Sequence, residues 1–369
     1  MGMIYTVLSV LITFGLVIFI HELGHFLACK WQDIKVDAFS FGFGPELYGF
    51  TRGETRYKIC AIPLGGYVQA AGEDLSNSSG NPREYFAKPW YRRLIVALSG
   101  PAMNYVLAFL LFSGAIYFTG EPVFSTQPVI GEVIDSYPAE ISGLKPGDRV
   151  LSVNGAQMAT WEQLASTIHT LPEQDIVVRY SRAGQENSIT LKTKKDPSGS
   201  YGVIGISPEN TYKPIPFLMS VKLGGYQCWY WSKETVTTLA SKIYKREKPD
   251  VAGPVGIVHM VSKAAKTGFA NQIFLLALIS VAVGIFNLFP IPILDGGTSL
   301  LFIWEGISGR KLTEKLVGAV NSVGFVVLIS IFLFATYSDF ARLKATKAAK
   351  AAISAPAQQP EPDAAGVSK

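Results

Sequence analysis

Apolar and polar positions divide this chain into long blocks rather than short alternating runs. Met1 to Ile20 holds no charged side chain, and neither do Leu94 to Phe118, Ile273 to Leu288 or Leu316 to Tyr337. A helix needs about 20 apolar residues to cross the hydrocarbon core of a bilayer. The pattern therefore predicts four transmembrane helices, with both chain ends on one side. The first block lacks the basic start and small-residue cleavage site of a signal peptide. His21, Glu22 and His25 follow it at once, so it reads as a retained span.

Between the first two spans, Val36 to Gly44 and Arg56 to Ala71 read as strands interrupted by glycine and proline, and Gly72 to Pro82 as a loop. Thr119 to about Ala270 is the largest polar segment, with short strands and one helix. Within it Phe217 to Lys245 is helical and aromatic. Its Lys222, Lys233 and Glu234 argue for a helix on the membrane surface rather than a fifth span. The chain thus divides into a first span (1–29), a β-loop region (30–93), a second span (94–118), a β-rich domain (119–206) and an external membrane-surface helical region (207–270). A third span (271–290), a loop (291–315), a fourth span (316–338) and a disordered tail (339–369) complete it.

Composition agrees with this reading. Only 17% of the 369 residues are charged and 49% are hydrophobic, against about 25% charged in soluble domains, and the mean hydropathy is +0.26. Basic residues set orientation. None precedes the first span, while Lys30, Lys35, Arg52, Arg56 and Lys58 follow it, so 30–93 is expected on the cytoplasmic side and 119–270 outside. Lys344, Lys347 and Lys350, on the side expected to be external, run against this rule. The net charge of +5 comes without a long basic tract, so nucleic acid is not an expected partner. Three dispersed cysteines, Cys29, Cys60 and Cys228, imply no disulfide framework.

The candidate chemistry begins at His21-Glu22-Leu23-Gly24-His25. On a helix, residues four apart share a face, so both imidazoles can reach one ion while Glu22 sits beside them to polarise a water. Imidazole suits zinc, and a catalytic zinc has three protein ligands and an open position. A chance match at a helix end is the bland alternative. A charge inside a bilayer is costly and marks function by default. Cys29 shares the face but lies about 12 Å from His21 along the axis. His169 and His259 fall in the external segment and read as ordinary residues. Asp295 is the remaining candidate. Pro290 and Pro292 break the third span just before it, and broken backbone at membrane depth survives where it is buried or lines a cavity. Spans one and three run the same way, so Asp295 should emerge beside His21 and His25. Asp-Gly is also a common turn pair, and spacing alone leaves both readings open.

Taken together the motifs resemble the site-2 protease family of intramembrane zinc metalloproteases, in its bacterial regulator-of-sigma-E type, over about nine tenths of the chain. His21 to His25 matches the zinc helix, and Asn287 to Gly297 matches the family's N-x-x-P-x-P-x-L-D-G motif. Phe41-Gly42-Phe43-Gly44 and Ile62 to Val68 match the loop after the first span, Ser99 to Asn104 the start of the second, and Gly253 to Ile257 the segment before the third. The resemblance implies that His21, His25 and Asp295 bind Zn2+ and that Glu22 is general base and then proton donor. It implies a membrane-associated β-sheet near the active site. Asn287 and the strand residues Phe41, Gly42, Leu64, Gly65, Gly66, Tyr67 and Val68 would then hold substrate as an added strand. Substrates would be single-span membrane proteins, such as a membrane-bound anti-sigma factor or leftover signal peptides, cut within the bacterial inner membrane.

Pro128 to Gly155 resembles a PDZ domain through Tyr137-Pro138-Ala139, Gly143 to Asp148 and Val153-Asn154-Gly155. Its groove is expected between the strand Ile130-Gly131-Glu132-Val133 and the helix Trp161 to Thr170, open to a peptide ligand. The expected fold class is a polytopic α-helical membrane protein with an inserted β-rich PDZ domain and a small membrane-associated β-sheet. Two features depart from the family. Members of the regulator-of-sigma-E type carry two tandem PDZ domains and this chain has room for one. Many relatives have histidine after Asp-Gly-Gly, where this chain has Thr298. The rival readings are a dead PDZ scaffold, which the intact Glu22 opposes, and an ion transporter, which the missing inverted repeat opposes.

Overall fold

The four apolar blocks each form a long helix in the computed structural model, which describes residues 2–77, 79–196, 199–245 and 253–354. In chain order the elements are α1 (Gly2–Trp31), β1 (Val36–Arg52), β2 (Thr55–Ala70), α2 (Trp90–Thr119), β3 (Glu121–Phe124), β4 (Ile130–Val133), α3 (Pro138–Ser142), β5 (Arg149–Val153), β6 (Ala156–Gln157) and α4 (Trp161–His169). They continue with β7 (Asp175–Arg182), β8 (Gln185–Lys192), β9 (Lys194–Lys195), β10 (Gly202–Val203), β11 (Ile206–Pro208), β12 (Asn210–Lys213), α5 (Phe217–Lys245), α6 (Pro254–Thr267), α7 (Phe269–Asn287), α8 (Asp295–Ser308) and α9 (Glu314–Ser354). Among the described residues, four helices are long and apolar enough to cross a membrane: α1, α2, α7 and α9.

The chain forms two units. The first holds 1–120 and 214–339. In it α1, α2 and α7 pack side by side, with Val17, Ala108, Phe112, Ala277 and Val281 buried between helices. The most apolar window of α9 is only 6% buried, against 28–33% for the other three, so α9 is the outermost of the four. Its end is tied in by Asp339, whose carboxylate accepts from the Gly253 and Gly256 amides at the start of α6, 3.0 and 2.8 Å away.

Several elements differ from the sequence expectation. Residues 291–315 are not all loop, because Asp295–Ser308 is a helix. Two glycines hide it, being poor helix formers. It forms because Gly296 and Gly297 let its first turn lie against the backbone carbonyls of Leu288 and Ile291. Residues 339–354 of the expected disordered tail continue α9, as their alanine and lysine content favours. Residues 355–369 lie outside the described residues. The stretch expected flat on the membrane surface, α5, stands antiparallel against the middle of α2. Gly224 meets Ser113, Cys228 buries with Ala108 and Phe112, and Tyr105 hydrogen-bonds Ser232 at 2.9 Å.

β1 is also longer than expected, running on to Arg52, while β2 spans nearly the expected residues. Gly42 and Gly44 take φ of +91° and +84°, and the register shifts around them, so Pro45 sits at an irregularity where a strand tolerates it. Each strand is used twice. Phe39 lies opposite both Tyr57 and Val68, so 38–41 runs between 56–59 and 66–69. The far edge of 66–69 pairs with no strand among the described residues.

The second unit is built on Glu121–Lys213. Its sheet runs β6-β5-β7-β8, and β4 pairs with β11. Strand β7 alternates exposed and buried positions and delivers Ile176, Val178 and Tyr180 to a core with Ile130, Val150, Val153 and Leu164. Asp148 is fully buried and held by Arg182 Nε and Nη2, each at 2.7 Å. A cleft of this unit, about 380 Å³, lies between α4 and 201–208, where Trp161, Leu164, Ile168 and Ile206 face it. It does not run along β4, as the groove assignment to Ile130, Gly131, Glu132 and Val133 expected. One edge of β4 is taken by β11. On the other, Ile130 donates to the Asp148 carbonyl and accepts from Gly147, at 2.9 and 2.7 Å.

Candidate metal centre

α1 runs unbroken through the H-E-x-x-H segment, so His21 and His25 stand one turn apart with ring centroids at 4.8 Å and Nε2 atoms 3.2 Å apart. α7 ends at Asn287, the chain turns through its two prolines, and Asp295 opens α8 facing the imidazoles. Its carboxylate oxygens lie 3.1 Å from His21 Nε2 and 3.5 Å from His25 Nε2. The donor atoms of His21, His25 and Asp295 all fall within 4.8 Å of one another, the only such metal-capable group found among the described residues. A carboxylate at a helix N-terminus is favoured by the helix dipole.

The turn before Asp295 is strained. Leu294 N–H closes on the Ile291 carbonyl at 3.1 Å with Pro292 and Ile293 inside, and Ile293 takes φ +77°. Glycine usually fills such a position, and a β-branched residue there is an outlier.

α2 backs the metal helix. A Cβ on Gly24 would lie 2.3 Å from the Ser99 carbonyl, and one on Gly100 2.3 Å from His25 Nε2. The bare backbones let α2 reach the histidines. His25 Nδ1 donates to the Val96 carbonyl at 2.8 Å. Because a carbonyl only accepts, the neutral ring keeps its proton on Nδ1 and its lone pair on Nε2. His21 Nδ1 meets the side chain of Asn104 at 3.2 Å.

These residues fit a zinc ion. Two imidazoles and a carboxylate are a catalytic zinc donor set. Asp295 Oδ2 is buried without a hydrogen-bond partner although His21 Nε2 is 3.1 Å away. The contact is out of line for a hydrogen bond, as when both groups aim at a shared point between them.

A cavity of about 340 Å³ opens on this centre, and Glu22, Val68, Asn287 and Thr298 line it with the three donor residues. Of the other strand positions singled out from the sequence, Gly66 passes close to Glu22: a Cβ there would lie 3.5 Å from Glu22 Cγ. The Val68 backbone interacts with the Glu22 carboxylate. Phe41 packs on Phe19 and Tyr67 on Phe43, away from the cavity wall, as are Gly42 and Gly65. The side chain of Leu64 lies outside the described residues. Sequence reasoning missed Glu73, Tyr85 and Asn104. Glu73 and Tyr85 line the cavity beside Cys29. Burial raises the Glu73 carboxyl above its ordinary pKa and the Tyr85 phenol well above its own. Asn104 carried a signal, being an amide inside an otherwise apolar span.

Residues 9–331 match the model of peptidase family M50, and the chain belongs to that family. A protein of Clostridium acetobutylicum named as a zinc metalloprotease is 33% identical over 91% of this chain and 97% of its own length. One of Rhizobium meliloti, named likewise, is 33% identical over 91% and 96%. Zinc metalloprotease RasP of Geobacillus kaustophilus is 29% identical over 90% and 97%. The protein is therefore a zinc metalloprotease of the site-2 protease type, with Zn2+ as its cofactor and several helices long and apolar enough to span a membrane. Among solved structures, the PDZ domain of an SdrC-like protein from Listeria monocytogenes aligns with 23% of this chain and 90% of its own at 20% identity, with a TM-score of 0.21, too low to carry weight.

Proposed function

We propose that this enzyme hydrolyses peptide bonds within the transmembrane segments of single-span membrane proteins, with zinc on His21, His25 and Asp295 and Glu22 as general base. The observation that carries the reading is the converging donor triad more than halfway along a helix apolar enough to cross a bilayer. Zinc, when bound, polarises the scissile carbonyl and lowers the pKa of a coordinated water. Glu22 takes the proton of the attacking water and returns it to the departing amide nitrogen.

A substrate helix has every backbone amide paired, so cleavage needs local unwinding. The unpaired edge of 66–69 beside Glu22 suits an added strand, and Asn287 on the cavity wall suits the same extended backbone. Leu47, Tyr48 and Ile62 are 70%, 62% and 50% exposed, which fits a β1–β2 sheet seated in lipid. We place 30–93 on the cytoplasmic face of the bacterial inner membrane and the PDZ-like unit outside. Its cleft would take a peptide against 204–208. Anti-sigma factors and remnant signal peptides are the substrate classes this reading favours.

The test is cleavage of a purified single-span substrate in detergent. Glu22→Gln should cleave at least about 100-fold more slowly and keep its zinc. Equal cleavage by both proteins would end the assignment. Single cysteines test the topology, because the three native ones are buried. One at Glu186 should react with an impermeant reagent in intact spheroplasts, and one at Arg310 only after lysis.

A further inference from the structure

We propose that Asn104 is a positioning residue for the metal: its side-chain oxygen accepts the Nδ1–H of His21 and so holds that imidazole in the tautomer that presents Nε2 to zinc. The inference rests on His21, His25 and Asp295 being the zinc ligands.

Asn104 lies one turn beyond Gly100 on α2 and is fully buried. Its backbone carbonyl accepts from Ser280 on α7 at 2.8 Å, which fixes its place between the two helices. Its Nδ2 stands 3.2 Å from His21 Nδ1, while its Oδ1 is buried with no partner. The other end of the same ring, Nε2, faces Asp295 and His25. A neutral imidazole carries one proton. When Nε2 binds a metal, that proton is on Nδ1, which becomes a donor. The amide Nδ2 is also only a donor, so two N–H groups would confront each other across 3.2 Å in a low-dielectric site.

The two ends of a side-chain amide have nearly the same shape, and half a turn exchanges them. That turn brings the partnerless Oδ1 onto Nδ1–H and converts a repulsive contact into a hydrogen bond. With Nδ2 facing the ring, Asn104 instead favours a proton on Nε2, the form that cannot bind a metal through that nitrogen. His25 has no such choice, because its Nδ1 rests on a backbone carbonyl that only accepts. One imidazole is therefore preset for zinc, and the other is set by an amide that can face either way.

The experiment uses the full-length protein labelled with 15N-histidine, which contains only four imidazoles. In the zinc-loaded wild type, 15N shifts should show His21 protonated at Nδ1; protonation at Nε2 would overturn the inference without any variant. Asn104→Leu keeps the size and removes the acceptor, and should weaken zinc binding about 10–100-fold in a competition titration with a chelator. Asn104→Asp keeps an acceptor oxygen and should stay within about threefold of wild type, an effect too small for a lost outer-shell bond. Thermal unfolding of the zinc-free proteins separates a metal effect from a fold effect, and unchanged zinc affinity in Asn104→Leu overturns the inference. Asp295→Ala is the control. If it retains zinc, the ligand assignment falls and this inference with it. If it loses zinc while Asn104→Leu does not, this inference alone falls.

Discussion

The two walls of the metal cavity hold their donors by opposite means. The α1 wall is regular: an unbroken helix sets the spacing of His21 and His25, and α2 supports both rings from behind. The opposite wall is irregular. Asp295 arrives through a two-proline turn with Ile293 at positive φ, on a short helix that packs through glycine on the turn itself. Regular structure holds two of the candidate donors at little conformational cost, and strain is concentrated at the third. Strained backbone persists only where its surroundings over-determine it.

That contrast can be broken in graded ways. Asp295→Ala should lose both bound zinc and cleavage, measured by metal analysis of the purified protein. Metal retained without Asp295 would mean the irregular wall contributes no ligand. The next largest effect concerns the strut between the walls. Arg93 is 2% exposed, donates to Glu305 of α8 at 2.6 Å and to the Lys88 carbonyl at 3.0 Å, and lies over the Phe86 and Phe302 rings. Arg93→Ala leaves the partly buried Glu305 carboxylate without its guanidinium and should cost about 3–5 kcal/mol in unfolding experiments. A cost below about 1 kcal/mol would match a solvent-exposed pair and dismiss the strut.

Val68→Pro removes one amide from the open strand edge, an amide that also meets the Glu22 carboxylate. It should slow cleavage about 3–10-fold, the worth of one hydrogen bond, with zinc content unchanged. Helix-breaking residues in the substrate span should recover part of the rate. Normal cleavage by a folded, zinc-loaded Val68→Pro protein would remove this edge from substrate binding. The smallest effect is expected at Ile293. Glycine there relieves about 1–2 kcal/mol of left-handed strain and adds unfolded-state entropy worth about 0.5–1 kcal/mol. Stability should therefore stay within about 1 kcal/mol of wild type. Ile293 is exposed, so little packing is lost with its side chain, and a loss above about 2 kcal/mol would show that the turn is unstrained.

The regular wall was legible in the sequence because its geometry is local: four residues along a helix determine a shared face. The four long helices were legible because hydropathy acts over whole turns. Asp295 was legible only through the prolines that interrupt a span, and its helix was not, because Asp-Gly-Gly reads as a turn until the carbonyls of Leu288 and Ile291 are seen beneath it. The β-domain groove was misplaced for a similar reason. Strand composition does not say which edge is already paired, and β4 spends both of its edges inside the fold. α5 carries charges that suggest a surface helix, yet its small and aromatic residues pack along α2. Asn104 stood within a quoted motif without a role, since only the fold turns it towards His21.

The contact between Gly24 and Ser99, with Gly100 against His25, also limits how a substrate can arrive. With no side chain between the two backbones, the seam from α1 to α2 has no slack. Parting it would pull His25 off the Val96 carbonyl and His21 off Asn104 in one motion, dismantling the metal site before any peptide reached it. Under the proposed function a substrate would enter elsewhere, with the unpaired edge of 66–69 as the favoured opening, and the helix pair that carries the histidines would act as a fixed jamb rather than a moving door.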